Sequence, residues 1–177
     1  GEAEALVTPG EFAVYHAQLR KIGTHKIMGR AFDDRAGCAL LIDLIRSELP
    51  YDCYFSFTVQ EETGCTGGMT AAYQIRPDIS IAVESTTASD IAGVSPDKVV
   101  CAQGEGPVVS FMDRGTVYDH ALYTLAMEAA KKRGIPCQAK LGVFGGNESR
   151  SLQTAAKGSR AMAVSLPCRY IHSPSNR

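Results

Sequence analysis

Apolar runs of strand length alternate with runs of helical spacing along most of the 177 residues, and that alternation restricts the chain to an α/β architecture. Asp52-Cys-Tyr-Phe-Ser-Phe-Thr-Val59, Asp78-Ile-Ser-Ile-Ala-Val83 and Arg160-Ala-Met-Ala-Val-Ser-Leu166 read as strands, the first suited to a sheet interior. Ala36 to Leu49 reads as an amphipathic helix stopped by Pro50, and Asp119 or His120 opens a long helix to Arg133, stopped by Gly134 and Pro136. The expected fold is a mixed β-sheet covered by helices on both faces, a three-layer α/β/α domain.

The remaining stretches fill in that frame. Glu11 to Leu19 alternates with a period of two, as a half-buried strand does, with Phe12, Val14 and His16 on one face. Gly67 and Gly68 admit a short helix through Tyr73. Val99-Val100-Cys101 and Gly106 to Phe111 read as paired strands across a Gly-rich turn, Cys137 to Val143 as another strand, and Ser151 to Lys157 as a helix.

Composition excludes several partners. With 45% hydrophobic residues, 21% charged residues and a net charge of -1, the chain has neither a basic footprint for nucleic acid nor a polybasic membrane patch. Cysteines at 38, 53, 65, 101, 137 and 168 show no CxxC or zinc-finger spacing. Free thiols, with no signal peptide and no apolar run long enough to span a bilayer, favour a cytoplasmic setting. The opening Gly1-Glu-Ala-Glu4 lacks a start methionine, so the chain is expected to begin partway through a longer protein.

Charged residues recur just beyond the C-terminal ends of apolar strands: Glu61 and Glu62 after Val59, Glu84 after Val83, and His172 shortly after Leu166. In open α/β sheets that edge binds ligands. Asp33-Asp34-Arg35 stands where a helix begins, which suits either a capping carboxylate or a site carboxylate. The lone His16, His25 and His120 have no converging partners and read as structural. Gathered together, the carboxylates and the imidazole suit metal-assisted hydrolysis, in which divalent ions activate a water and a further carboxylate moves its proton. Glu61-Glu62 offers both roles from adjacent positions.

Ala31-Phe-Asp-Asp-Arg-Ala-Gly37, Gln60-Glu-Glu-Thr-Gly64, Gly104-Glu-Gly-Pro107 with Met112-Asp-Arg114, Gly134-Ile-Pro136 with Gln138, and Arg169-Tyr-Ile-His-Ser-Pro174 follow one another in order. Together they resemble the motifs of the tetrahedral co-catalytic metallo-aminopeptidases, the glutamyl or deblocking enzymes of family forty-two in metallopeptidase clan MH. The resemblance implies that Asp33 bridges two divalent ions (zinc or cobalt, with manganese as a third choice), that Glu62 and His172 complete one of them, and that Glu84 binds the other. It makes Glu61 the general base and implies a cis peptide after Asp33. It places Gly146, Asn147 and Glu148 beside a peptide substrate, and it implies a homo-oligomer.

The chain also departs from that family. Glu84 stands where an Asp is usual, and the usual Gly-Gly-Thr-Asp-Ala reads Gly145-Gly-Asn-Glu-Ser149. The family's His-x-Asp motif would lie upstream of Gly1, and the usual Glu after His-Ser-Pro is absent. The expected organisation is therefore the tail of an inserted β-barrel or PDZ-like dimerisation domain over residues 1–18, and a partial catalytic domain over residues 19–177. Two alternatives stay open: a degenerate, non-catalytic peptidase-fold module, and a metal-dependent amidase or deacylase.

Overall fold

A computed structural model describes residues 1–176. Its sheet is carried by two long strands, β3 (Ile79–Thr87) and β6 (Arg160–Cys168), which run parallel with Ala82 opposite Ala163 and Glu84 opposite Ser165. Two short strands, β4 (Val108–Val109) and β5 (Gln138–Ala139), extend it. The order is β3-β6-β4-β5, with β4 antiparallel to β6 and parallel to β5. A separate antiparallel pair, β1 (Arg20–Ile22) and β2 (Lys26–Met28), precedes them. The sheet is therefore mixed, as expected.

Successive residues of a strand face opposite sides of its sheet, and the core divides accordingly. On one side Met162 and Val164 of β6, with Val109 of β4, meet Leu122, Tyr123, Ala126 and Met127 of α4 (His120–Lys132). On the other, Ala82 and Ala163 pack against Tyr118. The short α5 (Ser149–Leu152) lies on that side, where the Ser149 hydroxyl donates to the Met162 carbonyl at 3.4 Å. Two further helices, α2 (Phe32–Ile45) and α3 (Thr66–Ile75), and the isolated α1 (Glu2–Leu6) complete the inventory.

Local chemistry explains the helix starts. Asp119 caps α4, its Oδ1 accepting the Leu122 amide at 3.0 Å, and Arg160 grips the same carboxylate through two nitrogens at 2.7 and 2.9 Å. In α2, Asp34 plays the capping part, accepting the Gly37 amide at 3.0 Å. Asp33 and Asp34 themselves have non-helical torsions and are joined by a cis peptide. Gly37 is required here, because a Cβ would overlap the Asp34 carboxylate and the Val83 carbonyl.

Several sequence expectations are corrected. Glu11 to Leu19 forms no strand, and its alternation buries nothing: Phe12 is 100% and Val14 75% exposed. Asp52 to Val59 is not paired in a ladder among the described residues, and Tyr54 and Val59 are 79% and 70% exposed. In both runs side-chain propensity is strand-like, but a strand exists only where a second backbone bonds to it. Val99 to Cys101 does not pair with Gly106 to Phe111; the Val100 and Cys101 amides both reach the Ala88 carbonyl, at 3.2 and 3.1 Å. The Gly-rich turn before β4 has another cause, since Gly106 (φ +85°) leaves no space for a Cβ against the Pro136 carbonyl. The helix predicted over Ser151 to Lys157 is the shorter and earlier α5, and the strand predicted over Cys137 to Val143 contracts to β5. β3 runs past Glu84 to Thr87, so Glu84 is inside the strand rather than at its end.

All six cysteines are free, and among the described residues no helix is long and apolar enough to cross a membrane.

Candidate metal centre

Three segments far apart in sequence converge at the C-terminal ends of β3 and β6. The start of α2 is tied to β3 by the Ser85 hydroxyl, which donates to the Phe32 carbonyl at 3.1 Å, and this sets Asp33 against the sheet edge. Beyond Val59 the chain turns over residues 61–64, with the Gly64 and Cys65 amides both bonded to the Glu61 carbonyl at 3.0 Å. That turn presents Glu61 and Glu62 side by side. After β6, Tyr170 and His172 take left-handed torsions (φ +57° and +61°), doubling the chain back so that the imidazole faces Asp33.

His172 Nε2 stands 3.1 Å from Asp33 Oδ2 and 3.3 Å from Glu62 Oε1. One ligand atom from each of these residues lies within 4.8 Å of the others, the spacing that can hold a single ion. The donor set, two carboxylates and an imidazole, suits zinc and the neighbouring first-row divalent ions. The electrostatics agree with a cation there. Burial, and then the neighbouring Glu62 charge, push the Asp33 carboxyl above its usual range, and the pull of His172 acts the other way. Two carboxylates facing one another are a costly arrangement that a shared cation relieves.

Glu84 and Glu61 line the same cavity, which has a volume of about 280 Å³, but neither joins the three-residue cluster. Glu84 is half-buried, and its Oε1 accepts from Asn147 Nδ2 at 2.6 Å and from the Ser165 hydroxyl at 3.2 Å. Burial pushes its carboxyl up to about 8, against the opposing pull of Asn147, Lys140 and Ser165. Burial likewise raises Glu61, while the contact from the Cys65 thiol at 3.5 Å lowers it. The capping Asp34 is raised to about 7 by burial despite the Gly37 amide.

The expected substrate residues separate. Gly146 lines the cavity. Asn147 sits just behind it, 2% exposed, bonded to Glu84 and, at 2.7 Å, to the Tyr118 hydroxyl, which itself donates to Asp113. Glu148 accepts from the Thr58 hydroxyl and lies against Gly68.

Two features escaped the sequence reading. Lys140 lines the cavity although it is only 5% exposed; its signal was a lone charge within the apolar run Cys137 to Val143. Arg169 grips Asp90 through Nε at 2.7 Å and a second nitrogen at 2.9 Å, and reaches the Asp90 carbonyl at 3.1 Å, just before the turn that carries His172. This fork-on-carboxylate geometry is rigid and holds Asp90 well below its usual range.

A family model described as M42 glutamyl aminopeptidase matches residues 1–177. A protein of Acetivibrio thermocellus is 36% identical over 175 residues, covering 98% of this chain and 52% of that protein. An aminopeptidase structure from the archaeon Desulfurococcus kamchatkensis superposes with a TM-score of 0.92 at 31% identity, over 99% of this chain and 51% of that chain. The TET1 peptidase of Pyrococcus horikoshii, described as assembling into a tetrahedron or a large octahedral shell, matches with a TM-score of 0.81 at 30% identity over 99% of this chain and 52% of that one. The chain thus spans about half the length of the curated relatives it matches.

Proposed function

As this chain belongs to the M42 glutamyl aminopeptidase family, we propose that it supplies the greater part of the site of a metal-dependent aminopeptidase that removes the first residue of a peptide. The observation that carries this reading is the convergence of Asp33, Glu62 and His172 from three separate segments. These three would hold one divalent ion, and Asp33 and Glu84 would be the donors for a second. Zinc and cobalt fit the mixed nitrogen and oxygen donors, and manganese is a further candidate. Divalent ions bound there would polarise the scissile carbonyl and make a water acidic enough to attack it.

Glu61 takes the proton of the attacking water on its free carboxylate oxygen and passes it to the leaving amine. Its raised affinity for a proton, caused by burial, suits a group that must both accept and donate. Gly146, with Asn147 and Glu148 behind it, shapes the side of the cavity that receives the peptide. Residues 1–18 belong to an adjoining dimerisation domain, and the protein works as a cytoplasmic homo-oligomer.

Hydrolysis of amino acid para-nitroanilides with added cobalt or zinc tests the proposal. Glu61→Gln lowers the rate by at least about 100-fold while metal binding persists. Equal rates for the variant and the parent would refute it. One observation favours the non-catalytic reading: Asn147 already occupies Glu84 Oε1. A degenerate module would bind an ion and show no turnover that depends on Glu61.

A further inference from the structure

Behind the cavity a set of hydrogen bonds runs in one direction, from a buried aspartate to Glu84. The aspartate is Asp113, 4% exposed and held in a tight hairpin where its amide donates to the Thr116 carbonyl at 3.0 Å. Its Oδ1 accepts the amides of Gly115 and Thr116, both at 2.8 Å, and its Oδ2 accepts the Tyr118 hydroxyl. A tyrosine hydroxyl has a single hydrogen. With that hydrogen on Asp113, the Tyr118 oxygen can only accept, and it takes Asn147 Nδ2 at 2.7 Å.

The Asn147 amide has no choice of orientation either. Its Oδ1 accepts the Ser149 amide at 2.8 Å, so Nδ2 is the atom turned to both Tyr118 and Glu84. Asp113, Tyr118 and Asn147 are all buried, and water does not compete for these bonds. At the end of the chain Nδ2 donates to Glu84 Oε1 at 2.6 Å, and the Ser165 hydroxyl donates to the same oxygen at 3.2 Å. Both bonds fall on Oε1, which leaves Oε2 for a cation in a residue that lines the cavity. Lys140 also attracts this carboxylate, but an ammonium with three equivalent hydrogens imposes no direction on it.

We propose that Asp113 and Tyr118 are positioning residues of the metal centre: through Asn147 they fix which oxygen Glu84 turns to the second ion, while touching no ion themselves. This role rests on the reading in which Glu84 is a donor for a second ion. The Tyr118 ring packs against Ala82 and Ala163, contacts that a phenylalanine keeps, so the hydroxyl can be tested apart from the ring.

The test is calorimetric titration of zinc into the metal-free parent, Tyr118→Phe, Asp113→Asn and Leu122→Ala. The parent takes two ions, and the binding step that Glu84→Ala abolishes is the one to read. Tyr118→Phe weakens that step by roughly 10- to 100-fold, the usual cost of removing a partner behind a metal ligand, and leaves the other step within about two-fold. Asp113→Asn keeps the side-chain shape but can offer Tyr118 an N–H in place of an acceptor, which turns the hydroxyl hydrogen toward Asn147; it weakens the step by as much. Leu122 packs on the opposite side of the sheet, and Leu122→Ala is the control: it melts lower than the parent yet binds both ions as tightly. Melting curves confirm that each variant folds. Unchanged binding in Tyr118→Phe, an equal loss in Leu122→Ala, equal losses at both steps, or a parent with no binding step that depends on Glu84 would overturn the inference. The last of these also removes the second ion from the proposed site, whereas the others leave it in place. The peptidase reading is decided separately, by the turnover of Glu61→Gln.

Discussion

Replacing Asn147 with alanine removes three hydrogen bonds at one buried point, and its cost should depend on pH. The side chain is 2% exposed; Nδ2 donates to Glu84 Oε1 at 2.6 Å and to the Tyr118 oxygen at 2.7 Å, and Oδ1 accepts the Ser149 amide at 2.8 Å. Losing the two neutral bonds costs about 1 kcal/mol each, and losing the bond to an ionised carboxylate about 1.5 to 3 kcal/mol. The sum is about 3.5 to 5 kcal/mol with Glu84 charged, and about 3 kcal/mol with it protonated, when all three bonds are neutral. Burial raises the Glu84 carboxyl from 4.5 to about 8 in the folded, metal-free protein. The fold therefore holds this proton more tightly than the unfolded chain does. Its contribution to stability is full below the unfolded value and is lost as pH rises through the folded one. Without Asn147 the folded value climbs further, so the loss deepens at high pH. Urea unfolding of metal-free parent and Asn147→Ala at about pH 5.5 and about pH 9 should show a difference larger by about 0.5 to 2 kcal/mol at the higher pH. An equal difference at both, or a larger one at low pH, would refute the reasoning.

Two further substitutions probe how the ligands are held. Gly37→Ala should destabilise the protein by about 1 to 3 kcal/mol in thermal unfolding, because its Cβ overlaps the Asp34 carboxylate and the Val83 carbonyl; it should also weaken metal binding by displacing neighbouring Asp33. Arg169→Ala breaks the fork on Asp90, whose partners are 27% and 13% exposed. That places the cost between surface and buried pairs, at about 2 kcal/mol by urea unfolding, and a looser His172 turn should lower metal affinity as well.

The parts of the fold that were legible in the sequence are those whose signal is local. Asp119 announces α4 because a cap and the periodic run behind it lie within one turn, and β3 and β6 announce themselves as apolar runs. Glu11 to Leu19 and Asp52 to Val59 carry the same local signature and form no ladder, since pairing depends on a second backbone that no local pattern reveals. Asp33 and Asp34 supported both a capping and a site reading, and the structure divides the two: Asp34 caps Gly37 while Asp33 faces His172. The convergence of Asp33, Glu62 and His172 was expected from strand-end placement together with motif resemblance. Lys140 and the Arg169 fork were missed because their meaning lies in partners tens of residues distant, Glu84 for the one and Asp90 for the other.

The account turns on three donors sharing an ion, and titration of zinc into the metal-free parent and into His172→Ala tests that most directly. Loss of the imidazole should weaken the site by more than about 100-fold. Affinity unchanged by the substitution would contradict the account, because the ion would then be held elsewhere.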